Sequence, residues 1–211
     1  MDRRTFIKHS VGWGGLAGIV GFTLYKPPLN INLYYSSSVH TEEAIENINI
    51  LKGHLHEFFS TYLEQRAVTI TVKGSVKPDA ALKQDKVTGL DWWQYDYHDD
   101  AVPDSIDASL FVAGSNDIDW DNALGRATIN APYAISSGLE HIDTNRKYIT
   151  LAAHEIGHCL GLRHTHYEKW IDAEPNDNRD RYTVMHPNAD KQGLALSRKS
   201  ETKLSKVNNL L

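Results

Sequence analysis

The chain has 211 residues, of which 41% are hydrophobic and 23% charged, with a net charge of −5 and a single cysteine, Cys159. These figures suit one globular domain and exclude wholesale disorder, collagen-like repeats, a disulfide framework and a cysteine-rich zinc module. Histidine stands out, with 11 residues against 5 Phe and 2 Met.

The charge is unevenly spread. Residues 1–28 carry four basic residues and one acid, net +3, which leaves −8 on residues 29–211. A body that acidic is a poor partner for nucleic-acid phosphates, so no nucleic-acid partner is expected. The block Arg3-Arg4-Thr5-Phe6-Ile7-Lys8 precedes a Gly-rich apolar run from Val11 to Tyr25, shorter than a membrane-spanning helix needs. It resembles the twin-arginine export signal. The resemblance implies a prokaryotic protein exported in its folded state, periplasmic, extracellular or membrane-anchored. No Ala-x-Ala-like cleavage site lies between Gly21 and Leu29, so residues 11–25 are a candidate membrane anchor, which Pro27-Pro28 would end before the domain at 29–211.

Residues Leu29 to Tyr35 alternate apolar and polar, as a half-buried strand does. A helix is expected from Thr41 to about Gln65, with Ile45, Ile48, Leu51, Leu55, Phe58, Phe59 and Tyr62 along one face. Val68 to Val72 is β-branched and bounded by Gly74, a second strand. Residues 75–105 are polar and aromatic without a period and read mainly as a surface excursion. Ile106–Ala113 and Gly125–Ile129 give two more strands, Lys147–Leu160 a helix, and Ser197–Leu211 a capped terminal helix. The fold class is α+β, with the order strand, helix, strand, strand, strand, helix, loop, helix.

The chemistry lies in His154-Glu155-Ile156-Gly157-His158-Cys159-Leu160-Gly161-Leu162-Arg163-His164. Two histidines four apart on a helix are about 400° around the axis, roughly 40° out of line, so both imidazoles face one way. Glu155 is displaced by about 100°, where its side chain reaches a metal-activated water rather than the metal. Gly161 can take the left-handed conformation that ends a helix, letting His164 swing back as a third ligand. Three neutral imidazoles around Zn²⁺ leave a fourth position for water, which is a catalytic arrangement rather than a structural one.

This stretch resembles the metzincin metallopeptidases, whose motif H-E-x-x-H-x-x-G-x-x-H is followed by a Met-turn, here Tyr182-Thr183-Val184-Met185-His186-Pro187. The resemblance implies a single catalytic domain with a twisted mixed sheet, an antiparallel edge strand, an active-site helix, the Met-turn and a C-terminal helix. It implies one catalytic zinc on His154, His158 and His164, with Met185 as an apolar floor rather than a ligand. It further implies that the edge strand, with Arg126, Ala127 and Thr128, binds an extended peptide by strand addition. A plain edge or hairpin strand reads equally well there. Pro187, two after the methionine, and the Leu196-Ser197 start of the last helix lean toward the matrixin-like branch. No room for a pro-domain is expected between Pro28 and the first strand, and Cys159 lies within the helix, unlike a propeptide's cysteine switch.

Weaker candidates remain. His166 and His186 read first as loop histidines beside the site and second as ligands. Asp117, Asp119 and Asp121 alternate as the acids of a Ca²⁺ loop do, but the run lacks the later Glu of an EF-hand and reads first as a solvated turn, with Ca²⁺ second. The aromatic and acidic run Asp91–Asp100 is a candidate binding wall or a loop packed over the core. Cys159 reads as a small buried side chain. The expected activity is zinc-dependent peptide-bond hydrolysis with Glu155 as general base and then acid, in a monomer acting on peptide or protein substrates. The alternative is an exported zinc-containing, peptide-binding protein without turnover.

Overall fold

The structure, a computed structural model, describes residues 27–63, 66–98, 102–103, 105–120, 124–168, 182–188 and 192–207. The export-signal block and the candidate anchor at 11–25 lie outside these residues, as does Asp121. No helix among the described residues is long and apolar enough to cross a membrane.

Five strands form one mixed sheet: β1 (Leu29–Ser36), β2 (Val68–Val76), β3 (Ala108–Val112), β4 (Gly125–Ala127) and β5 (Tyr133–Ser136). Their order is β2-β1-β3-β5-β4. β1 pairs parallel with β2 and β3, and β3 parallel with β5, whereas β4 runs antiparallel to β5 at one edge. The parallel pairs need crossovers, and the helix α1 (Thr41–Tyr62) supplies the one between β1 and β2. Beyond it come a short helix α2 (Lys86–Asp91), the long helix α3 (Arg146–Cys159) and a terminal helix α4 (Arg198–Val207). The architecture is α+β with the mixed sheet and antiparallel edge strand expected.

Strand alternation sorts the core into two layers. Leu29, Ile31 and Leu33 of β1, Leu110 and Val112 of β3 and Ala134 of β5 face α1 and α3. From α1 they meet Ala44, Ile48, Leu51, Leu55, Phe58 and Phe59, all buried. Ile45, expected on that face, is 44% exposed, and the helix ends at Tyr62, with Glu64 and Gln65 outside the described residues.

The opposite face of the sheet corrects the reading of 75–105. Phe111, Ala113, Tyr133 and Ile135 are covered by Leu82, Leu90, Trp92 and Trp93, the last two opening a wide π-helical turn (Trp92–Tyr97) that continues α2. Trp93 is fully buried, stacks on Tyr97 with centroids 4.8 Å apart and donates from Nε1 to Ser109 O at 3.0 Å. Each large side chain buried this way contributes about 1.5–3 kcal/mol. Residues 81–93 of that run therefore form a second core layer rather than a surface excursion, and the described part of 91–100 is packed over the core. With both faces covered, every residue of β3 and β5 is buried. That removes the apolar–polar alternation: β3 is still legible as a longer apolar run, whereas the four residues of β5 have no counterpart in the sequence reading.

The helix boundaries follow local capping. Asn145 Oδ1 accepts from Lys147 N at 3.1 Å to open α3 at Arg146, and Ser197 Oγ accepts from Ser200 N at 3.0 Å to open α4 at Arg198. β4 stops at Ala127. Thr128 still donates its N–H to Tyr133 O at 3.0 Å, while Ile129 sits in the turn, 41% exposed.

Candidate metal centre and active site

The centre is built on the C-terminal half of α3, where every residue from Ile149 to Cys159 is buried. The helix ends in a Schellman motif: Leu162 N donates to Gly157 O at 2.8 Å and Gly161 N to His158 O at 2.9 Å, with Gly161 at φ +82°. A Cβ at Gly161 would collide with Asn130 Oδ1. Asn130, itself at φ +60° in the β4–β5 turn, also donates its N–H to His158 O, at 3.1 Å. The helix end and the edge hairpin are thus fastened to each other, and the chain leaves through extended Arg163 into the short turn that carries His164.

His154, His158 and His164 converge. The Nε2 of His164 lies 3.1 Å from that of His154 and 3.2 Å from that of His158. The far nitrogens of the helical pair are tied to backbone: His154 Nδ1 donates to Val184 O at 2.7 Å, and His158 Nδ1 to Leu162 O at 2.9 Å. Those bonds fix the tautomers and turn both Nε2 lone pairs inward. Gln192 Nε2 donates to His186 O at 2.6 Å and lies 2.9 Å from the same His154 Nδ1.

Burial, then the charges of neighbouring histidines, holds His154 down to about 3, against the bond to Val184. Burial also lowers His158 and His164. All three are therefore neutral donors at neutral pH. A hydrogen on one Nε2 satisfies one contact only, whereas a shared cation satisfies all three. Imidazole nitrogens about 2.0–2.1 Å from a tetrahedral zinc stand about 3.3 Å apart, close to the spacing seen. The donor set fits zinc.

Glu155 lies beside them, 5% exposed, and burial pushes its carboxyl up to about 8, opposed by the positive charge of Arg126. Its carboxylate rests on the backbone of β4: a Cβ at Gly125 would stand 2.6 Å from Glu155 Oε1. Met185, fully buried, takes the equivalent place beneath α3, where a Cβ on Gly157 would stand 2.7 Å from its Sδ. A cleft of about 1140 Å³ runs over the three histidines and Glu155, bounded by Arg126 and Ala127 of β4 and by Thr128 just beyond it.

The chain matches the matrixin family over residues 62–196. It belongs to the matrixin family. Among solved structures, this matrixin is similar to metalloproteinase-II from Bacteroides fragilis, at 20% identity and a TM-score of 0.49 over 87% of this chain and 53% of that one. It is also similar to a zinc-dependent peptidase from Methanocorpusculum labreanum, at 18% identity and a TM-score of 0.48 over 82% of this chain and 99% of that one. The matrixin chain therefore spans about half the length of the Bacteroides protein. No curated protein matches.

The remaining candidates are held in other contacts. His166 Nδ1 accepts from Arg163 N at 3.0 Å within its own turn, and His186 stacks on Tyr182, centroids 4.3 Å apart. Among the described residues, the one cluster able to hold a metal is His154, His158 and His164. Asp117 spends Oδ2 on Gly114 N and Ser38 Oγ, each at 2.8 Å, which closes a turn. Cys159 is buried. Sequence reasoning passed over Gly125, Gly157, Asn130 and Gln192. A glycine whose missing Cβ makes room for a distant side chain has no local signal, and neither has a carbonyl that holds an imidazole.

Proposed function

We propose that this matrixin is a zinc-dependent endopeptidase, with zinc held by His154, His158 and His164 and Glu155 as its general base and acid. The observation that carries the reading is the convergence of three imidazoles, two of them fixed by backbone carbonyls, beside a buried carboxyl at the base of an open cleft. Family membership supports the zinc peptidase class.

A zinc ion in this donor set supplies Lewis-acid activation of water and of the scissile carbonyl. Glu155 takes the proton of the attacking water and returns it to the leaving amine, a task suited to a carboxyl whose burial raises its proton affinity toward neutral pH. Gly125 holds that carboxylate in place by leaving it room. Val184 O and Leu162 O keep the imidazoles from rotating. At the end of the sheet, β4 has one edge paired to β5 and the other available to an extended peptide. The twin-arginine resemblance of residues 3–8 adds the proposal that the enzyme is exported folded, with its metal already bound.

The test is Glu155→Gln. Zinc content by elemental analysis stays at one per chain, while cleavage of a quenched peptide library falls by about 10²–10⁴-fold. Cleavage at the parent rate overturns the assignment of Glu155. A parent protein that binds zinc and peptides but cleaves none favours the non-catalytic binding reading.

A further inference from the structure

The charge of the cleft runs against the charge of the chain. Residues 29–211 carry net −8, yet among the described residues lining the cleft four are basic, Lys86, Arg126, Lys147 and Arg163, and Glu155 is the single acid. These cations come from four separate elements: the start of α2, the middle of β4, the first turn of α3 and the segment after the Schellman turn. They therefore ring the cleft rather than extend one basic stretch of sequence. Lys86, Arg126 and Arg163 are exposed, and none of them forms an ion pair among the described residues. Beyond Arg163 the positive ground continues, because Lys203 Cε lies 3.7 Å from the place a Gly161 Cβ would take.

Arg126 has the most informative position. Gly125 faces the Glu155 carboxylate, so alternation turns the Arg126 side chain to the other face of β4, where α2 packs and carries Lys86 and Leu90 into the cleft wall. A peptide added along the free edge of β4 sends alternate side chains to those same two faces. One set then falls beside the catalytic carboxylate and the other beside Arg126 and Lys86. Cations of one sign around a cleft focus a positive potential into it, which attracts anionic ligands and repels cationic ones.

We propose that the cleft selects acidic peptides, with Arg126 and Lys86 as specificity-determining residues that receive Asp or Glu side chains of the bound strand. The inference rests on the peptidase reading and names its substrate class. An exposed opposite-charge cross-strand pair is worth roughly a 1.4- to 5-fold preference, so several together give about tenfold.

The test uses the zinc-loaded full chain and three pools of end-blocked peptides, identical except that four fixed positions are all Asp, all Asn or all Lys. Blocked ends leave the side chains as the only difference in charge. At low salt the cleavage rates by mass spectrometry fall in the order Asp, Asn, Lys, with about tenfold between the first two, and the differences narrow at 0.5 M salt. Arg126→Gln and Lys86→Gln each reduce the Asp-to-Asn ratio by about 2- to 5-fold. Equal rates for the three pools, or a ratio unmoved by both substitutions, overturn the proposal while leaving the peptidase reading intact. Cleavage of no pool overturns the peptidase reading, and fluorescence anisotropy of labelled Asp and Lys peptides on the same protein then decides the charge preference. Tighter binding of the Asp peptide supports it and equal binding overturns it.

Discussion

Gly157 is the x before the second histidine of the motif, and helix propensity alone says that alanine there stabilises by about 0.8–1.0 kcal/mol. The structure says the opposite. The new methyl would stand 2.7 Å from Met185 Sδ, 3.4 Å from Leu162 Cδ1 and 3.6 Å from Met185 Cε. Ordinary contact begins near 3.5 Å, so the sulfur must retreat by about 0.8 Å. Met185 and Leu162 are both fully buried, which leaves little free space for that retreat. Overpacking of a closed core costs about 1–3 kcal/mol. Set against the propensity gain, Gly157→Ala lowers stability by up to about 2 kcal/mol, a fall of up to about 8 °C in Tm for a chain of this size. Met185→Ala removes the sulfur and itself costs about 2–5 kcal/mol. In that background Gly157→Ala becomes neutral or stabilising by up to about 1 kcal/mol, since only propensity remains. Urea unfolding of the four proteins in excess chelator, which holds metal linkage constant, closes the double-mutant cycle. A Gly157→Ala effect of the same sign and size in both backgrounds would show that Met185 is not what excludes a side chain at 157.

Three other outcomes follow from single contacts. Gly125→Ala pushes the Glu155 carboxylate off β4, so kcat/KM falls by about tenfold to a hundredfold while zinc affinity by titration is unchanged; equal loss of both would place the effect on the metal centre instead. Arg66→Ala frees Pro27 O and Pro28 O, held at 2.7 and 3.3 Å, and breaks the 3.1 Å ion pair to Asp107, lowering the urea midpoint by an amount equal to about 1–3 kcal/mol. An unmoved midpoint would refute that role in anchoring β1. His98 is pushed down to about 4 by burial among Tyr34, Trp93, Tyr97 and Tyr133. Its unfolded form takes up a proton near 6.5, so its contribution is present above that pH and is lost as pH falls toward 4. The chelated parent protein therefore loses more Tm than His98→Gln between pH 6.5 and 4, and parallel pH profiles would count against a buried neutral His98.

Much of the centre is legible because its information is local. A spacing of four between two histidines on a helix fixes their relative direction, and a glycine three beyond the second permits the turn that returns His164. Helix periodicity and strand alternation likewise give α1, α3, β1 and β2 to within a few residues. The misses have one source. β5 is a four-residue strand covered on both faces, and the run 75–105 mixes buried aromatics with exposed charges, so neither has a period to read.

The sequence by itself determined that His154, His158 and His164 can meet, that Glu155 stands next to them, and that the fold is α+β around one long active-site helix. The first two follow from backbone geometry over a dozen residues, and the third from the periodicity of the elements along 29–211. Tertiary structure alone decided which strand lies over Glu155, which carbonyls fix the imidazoles, and that four cations from separate elements face one cleft inside an acidic chain. Each of those joins residues far apart in sequence, by contacts whose partners are backbone atoms, absent Cβ atoms or charges brought together only by the sheet order.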